Sequence, residues 1–333
     1  SVYDRISAYQ SNAVGTVGPS PTPPPSNVRG PTISMVMNAP VLRDADDKAG
    51  IYWAGCGPME GWQGARLQVS RDNGATWENG PLITAPAVMG ELTATLPAAS
   101  RYAQDNTNTL AVTMYRDEAS MDSTDFAGLM AERNVWAIQY ADGTVEIGQF
   151  ETATEIAERQ WELTGLMRGR QDTVAGEHLV GAKFVLLTDN VRFVAIRPDD
   201  VGKTLEFRAV STGTDPDAAE VQAVTFTTIE SLREWQPYNI EVTADGLGGY
   251  CVEWIGRARL GSSRAPAHSQ WFEGYRVAFT IGSTTYDVDT TAQEICLSAA
   301  TMLDVFGPGH GIPDVTVRAR SRVATNDDDF DSP

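Results

Sequence analysis

The apolar residues of this chain come in short runs stopped by Gly, Pro, Asn or Asp, and almost nowhere at helical spacing. A chain built this way has to bury its apolar side chains by pairing strands. The clearest case is late in the sequence. Val315, Val317, Ala319, Ser321 and Val323 share one face of an extended segment, while Thr316, Arg318, Arg320 and Arg322 share the other. Successive side chains of a strand point to opposite faces, so this is a half-buried antiparallel strand. Met35–Met37, Ile51–Ala54, Val191–Ile196 and Leu205–Val210 are further candidate strands. Two hairpins are legible from their turns: Leu67 and Val69 run into Asp72-Asn73-Gly74, and Val135, Ala137 and Gln139 run through Ala141-Asp142-Gly143 to Val145 and Ile147. Glycine supplies the positive φ that tight hairpins need. Only residues 125–133 and 152–160 suggest short helices, the second with Glu155, Glu158 and Arg159 on a wet face. The expected class is mainly β.

The 333 residues divide by composition. Residues 1–32 read as the end of an upstream domain followed by a Pro-rich linker over 11–32, because Pro fixes φ and removes a donor. Residues 33–232 read as an irregular β domain with minor helix, and 233–324 as a β-sandwich. The remainder, 325–333, reads as a solvated acidic tail. Few contacts are expected to cross near 232–237. Within 233–324, Trp254 on an early strand, Tyr275 on a middle one and Val317-Arg318-Ala319-Arg320-Ser321 near the end resemble fibronectin type III domains. The stretch 292–306 is longer than the usual connection and suggests a short helix. The chain starts at Ser1-Val2-Tyr3 without a Met or a basic-then-apolar leader, which points to processing or to a longer parent.

Lys and Arg number 25 against 44 Asp and Glu, a net charge of −19. That balance disfavours nucleic acid and anionic membrane surfaces as partners. No apolar run is long enough to span a membrane. Cys56, Cys251 and Cys296 show no CxxC spacing and sit among apolar or small residues, so all three read as buried thiols.

Ser70, Asp72, Gly74, Thr76 and Trp77 fit the pattern SxDxGxTW, the Asp-box of sialidases and other β-propellers. There the Asp caps a turn, Gly takes positive φ and Trp packs beneath. A propeller repeats the motif once per blade, whereas this chain has one copy, so Asp72, Gly74 and Trp77 read as a structural turn. Carboxylates cluster at Asp44, Asp46 and Asp47, at Asp199 and Asp200, and at Asp215 and Asp217, as expected by chance with so many acids. The first cluster lacks the spacing and Gly of a calcium loop. His178, His268 and His310 form no zinc spacing, and there is no nucleophile turn or phosphate loop. No catalytic set, metal site or cofactor is expected.

One segment is distinctive. Trp161-Glu162-Leu163-Thr164-Gly165-Leu166-Met167-Arg168-Gly169-Arg170-Gln171-Asp172-Thr173 is followed by His178, Gly181, Phe184 and Val185. It resembles the W/Y-x-L-S-G-L-L-R-G-R-x-G-T…H-x-x-G-x-x-F-V stretch of tail-tip proteins, the baseplate hub or host-specificity proteins of long-tailed bacteriophages and gene transfer agents. Asp172 stands where Gly is usual, which speaks against positive φ there. Upstream, Asn38-Ala39-Pro40-Val41-Leu42-Arg43-Asp44-Ala45-Asp46-Asp47 and Trp62-Gln63-Gly64-Ala65-Arg66-Leu67 also look like that family. The resemblance implies a virion component at the tail tip without catalysis. It also implies a homotrimer about the tail axis, contacts with other tail-tip proteins, and a part in attachment to a host surface receptor. Arg168 and Arg170, flanking Gly169 in apolar surroundings, are expected to staple neighbouring strands through carbonyls or carboxylates. The alternative is a secreted carbohydrate-binding or sialidase-like protein.

Overall fold

The computed structural model describes residues 29–117, 119–260 and 268–321, with the backbone of 330–331. The sequence readings for 1–28, and for the acidic tail apart from 330–331, therefore lie outside the described residues. Four strands come first: β1 (Ile33–Met37), β2 (Gly50–Cys56), β3 (Ala65–Ser70) and β4 (Glu78–Ile83). The chain then makes β5 (Met89–Leu92), β6 (Leu110–Met114), helix α1 (Phe126–Met130), β7 (Val135–Gln139) and β8 (Val145–Gln149). Strands β9 (Thr152–Ala157), β10 (Gln160–Thr164), β11 (Met167–Arg170) and β12 (Lys183–Leu186) follow. Only afterwards come β13 (Arg192–Ala195), β14 (Thr204–Ser211) and β15 (Val221–Thr225).

The order of pairing shows two units where the sequence suggested one. Strands β1-β2-β13 form a three-stranded sheet and β15-β14-β3-β4 a four-stranded one. Trp53, Leu67, Phe207 and Phe226 belong to the core shared by these two sheets. This three-plus-four sandwich has the fibronectin type III strand order, interrupted after its fourth strand. The interruption, β5 to β12, is an eight-stranded antiparallel sheet in the order β11-β8-β7-β12-β5-β6-β10-β9. Alternate residues of its strands serve two cores. Trp136, Ile138, Phe184 and Trp161 fill the insert's own core. Met89, Ala137, Ile147 and Val185 pack on Met35, Met37, Tyr52 and Ala54. Strand β2 is therefore buried at every residue, which is why it reads as a continuous apolar run.

Helix α1 forms inside the expected 125–133, capped by Asp125, whose side chain accepts from Gly128 N. The helix expected over 152–160 does not form. Those residues make the hairpin of β9 and β10, with Arg159 at φ 63°. Strand β9 is an edge strand exposed along nearly its whole length, so no apolar alternation marked it as β.

The last unit contains β16 (Tyr238–Ala244), β17 (Tyr250–Ile255), β18 (Phe272–Ile281), β19 (Thr284–Thr290), β20 (Glu294–Leu297), helix α2 (Ala299–Phe306), β21 (Asp314–Ser321) and β22 (Phe330–Asp331). Its sheets are β16-β17-β20 and β19-β18-β21-β22, again the fibronectin type III arrangement. Trp254 and Tyr275 meet edge to face at 5.3 Å in the core, alongside Val317 and Ala319. Helix α2 falls within 292–306 and buries Met302.

The reading of three buried thiols holds only for Cys56. Cys251 and Cys296 form a disulfide. Strands β17 and β20 place them directly opposite each other, a pairing set by strand register and invisible in their spacing of 45 residues.

Candidate functional site at the junction of the units

A cleft of about 640 Å³ lies where the first sandwich, the insert and the connector to the last unit meet. Clefts at such junctions are the usual places for ligands. One wall is the β7–β8 turn. Tyr140 N donates to Thr144 O at 2.8 Å, Gly143 takes φ 87°, and Asp142 Oδ1 accepts from Thr144 N at 2.9 Å. Asn38, just past β1, holds the opposite side. Its side chain donates to Thr228 O and accepts from Glu230 N, both at 2.9 Å.

The third wall follows β11. Gln171 and Asp172 both adopt left-handed backbone, at φ 54° and 59°. The expectation that Asp172 would avoid positive φ is thus overturned. Its carboxylate compensates for the strain by holding the connector: Oδ2 accepts from Gln236 N at 2.7 Å and Oδ1 from Arg257 Nη1 at 2.8 Å. The Arg257 guanidinium in turn lies 4.8 Å from the Trp235 ring centroid. The connector is not a region of few contacts. Ser231, Leu232, Glu234 and Pro237 are buried, because the chain there is pinned from both sides.

Beneath the cleft lies a buried ionic cluster. Glu146 and Arg168 are fully buried and paired through Nε–Oε1 at 2.5 Å and Nη2–Oε2 at 2.8 Å. Glu146 also accepts from Gly169 N at 3.1 Å, and its Oε2 lies 2.8 Å from His178 Nε2. Arg168 spends its remaining donors on Pro97 O and Gly176 O. Asp105 adds a second carboxylate, 3.7 Å from Arg168 Nη1. Burial alone would raise the Asp105 carboxyl, yet hydrogen bonds from Asn108 and Thr107 and the Arg168 charge hold it below the usual range. Tyr140 stacks on His178 at 4.3 Å, and burial, aided by the Glu146 charge, pushes its phenol up to about 12. The hydroxyl stays protonated and donates to Val174 O at 2.9 Å.

A second buried cluster stands behind the connector. Arg259 donates to Glu234 Oε1 at 3.0 Å and to Ser231 O at 2.6 Å, and it also pairs with Asp47. Ser269 Oγ donates to the same Glu234 oxygen at 2.7 Å. The second cluster and Asp172 thereby tie the last unit to the first sandwich and to the insert, while the first cluster holds the strands of the insert to one another.

The residues singled out in the sequence are distributed differently. Arg168 staples the strands as expected. Arg170 does not: among the described residues its guanidinium shows no hydrogen bond or ion pair, and it sits half-buried at the end of an edge strand. Gly165 and Gly169 take φ 65° and 58°. Asp72 caps its turn, accepting from Thr76 N at 2.8 Å and Thr76 Oγ1 at 2.6 Å, bonds that lower its carboxyl. Gly74 takes φ 79°, and Trp77 carries the Arg208 guanidinium 4.1 Å from its ring centroid. None of these residues, nor Trp254 or Tyr275, lines the cleft. The acidic clusters are engaged structurally, Asp46 by Tyr52 and Asp200 by Arg71. Among the described residues no group of three or more His, Cys, Asp or Glu is arranged to hold a metal ion.

Sequence reasoning missed Glu146, Glu234 and Arg259. Glu146 alternates with Val145 and Ile147 like an outward polar residue, and Glu234 looks like connector. The sole signal was His178 within the distinctive segment, since a histidine so placed needs a partner.

Fold and site together define a β scaffold: two fibronectin type III-like sandwiches, the first carrying an inserted sheet. Residues 87–185 match the family described as Rcc01698-like, C-terminal, and Rcc01698 is a gene transfer agent protein. The matched stretch coincides with the insert, β5 to β12. No curated protein matches the chain. Among solved structures, the chicken CNTN1 FN1-FN3 domains are similar at 9% identity and TM-score 0.18, over 92% of this chain and 99% of that one. The central fibronectin-III array of RIM-binding protein is similar at 15% identity and TM-score 0.21, over 75% and 97%. At those scores neither adds to what the strand order shows.

Proposed function

We propose that this chain is a structural part of the tail tip of a long-tailed bacteriophage or gene transfer agent, within its baseplate hub or host-specificity protein. The observation that carries the proposal is the match of residues 87–185 to a gene transfer agent-associated family. The motifs over 38–47, 62–67 and 161–185 support the same reading. In it the chain trimerises about the tail axis, contacts other tail-tip proteins and supports attachment to a host receptor. It acts as a scaffold and carries no catalytic set. The pinned connector suits this role, since a tail tip transmits load between units and gains from buried ties such as Arg259 to Glu234. Among the described residues no helix is long and apolar enough to cross a membrane.

Electron microscopy of particles labelled with antibody to this chain tests the proposal. Label at the tail tip is the expected result. Particles bearing no label, from a lysate that contains the chain, would overturn it.

A further inference from the structure

The cleft at the junction carries an inference independent of the tail-tip reading. Several of its lining residues hold buried polar atoms without a hydrogen-bond partner among the described residues: Gln171 Oε1, Glu234 Oε2, Trp235 Nε1 and Arg233 Nε. Two are acceptors and two are donors. A buried polar atom left unpaired is destabilising, so such atoms gathered around one cleft call for an occupant. Glu234 is the strongest case, being 1% exposed.

Four of the five charged residues of the lining are already matched, and the fifth, the exposed Asp142, accepts from Thr144 N and Oγ1 within its own turn. Glu234 faces Arg259 at 3.0 Å, Asp172 faces Arg257 at 2.8 Å, and Glu230 faces Arg233 at 3.0 Å. An anion would therefore meet no uncompensated partner among them, and a cation would meet only a carboxylate already engaged in its own turn. What remains unmet is hydrogen-bonding capacity of both kinds, beside an indole ring, on neutral groups or on charged groups already in ion pairs. Hydroxyl groups donate and accept at once, and the faces of a sugar ring stack on an aromatic ring.

We propose that this cleft binds a neutral saccharide. Trp235 supplies the ring face and an N–H, and Glu234 and Gln171 accept from sugar hydroxyls. All four atoms are closed to solvent, so binding includes a turn of the half-buried Gln171 and Trp235 side chains toward the ligand. An extended peptide is the less suitable occupant, because the unmet groups are side-chain atoms rather than a free strand edge.

The test is titration of the full chain with neutral hexasaccharides of glucose, galactose and N-acetylglucosamine, followed by calorimetry and by the Trp235 indole N–H signal. The expected result is saturable binding by at least one of them, with the indole signal shifted. Trp235→Phe keeps a ring but removes the donor, and Gln171→Ala removes an acceptor. Each should weaken binding by about tenfold, the value of one hydrogen bond, with the melting temperature nearly unchanged. Glu234→Gln should weaken it as well, although its tie to Arg259 makes it the less clean variant. No binding by any of these sugars at about 10 mM, beyond the weakest range of specific sites, would overturn the proposal. So would binding that all three variants leave unchanged, or capture of peptides at the cleft without sugars.

Discussion

Arg168 and Arg170 stand two positions apart and have opposite roles. Arg168 is fully buried and neutralises Glu146, whereas Arg170 is half-buried on an edge strand. A buried pair is costly to desolvate, and its net contribution is modest as long as both partners are present. Removing one partner leaves the other charged in a low-dielectric interior. Arg168→Ala should therefore cost about 3–5 kcal/mol in urea unfolding, and Arg170→Ala no more than about 0.5. Similar losses from the two would contradict the assigned roles. Asp172 poses a different trade. Its left-handed backbone costs an L-residue about 1–2 kcal/mol, and its carboxylate returns two hydrogen bonds to the connector. Asp172→Ala keeps the strain and loses the bonds, so about 2 kcal/mol of destabilisation is expected. Asp172→Gly loses the same bonds but relieves the strain, and should be the milder change by about 1 kcal/mol. The reverse order by denaturant titration would show that the backbone there is not strained.

Among the elements, β17, β18 and β21 let the register of the last sandwich be checked. Val317 lies opposite Val277, and Arg318 opposite Arg276. The first pair faces the core with Trp254 and Tyr275, and Arg318 is exposed on the other face. Trp254→Ala should cost roughly 3–5 kcal/mol and Arg318→Ala about 0.5 or less, read from thermal melts converted to free energy. A one-residue slip of β21 would turn Arg318 toward the core and make Arg318→Ala costly as well. Hairpin β9–β10 shows the opposite limit. With almost no buried side chain on β9, its place was decided by pairing with β10 and not by its own pattern.

For the whole molecule, the inserted sheet is structurally required by its host. It covers Met35, Met37, Tyr52 and Ala54 on the outer face of β1 and β2. Replacing residues 87–187 by a short turn from β4 to β13 would leave both sheets of the first sandwich but bare that apolar face. Such a chain should associate on size-exclusion chromatography and bind a hydrophobic dye. Changing Met35, Met37 and Tyr52 to Thr in the same shortened chain should restore the monomer. A soluble, dye-negative shortened chain without those changes would mean that the insert is merely tethered.

The mainly β class, both Asp-Gly hairpins, the outward Arg318 and the inward Trp254 and Tyr275 were all legible in the sequence. Each rests on neighbours a few residues apart, where the period of a strand or the φ of a glycine acts directly. The sequence also made the 161–185 segment stand out, though not what that segment does. Tertiary structure alone decided that β13 returns to β2 after a hundred-residue excursion, and that Cys251 meets Cys296. It also decided that Glu146 and Glu234 are buried rather than wet. Those outcomes depend on which strand lies beside which and on what covers a face from outside. A single strand's alternation shows that one face is buried, but it cannot say that a second sheet, or a buried arginine, waits on the other.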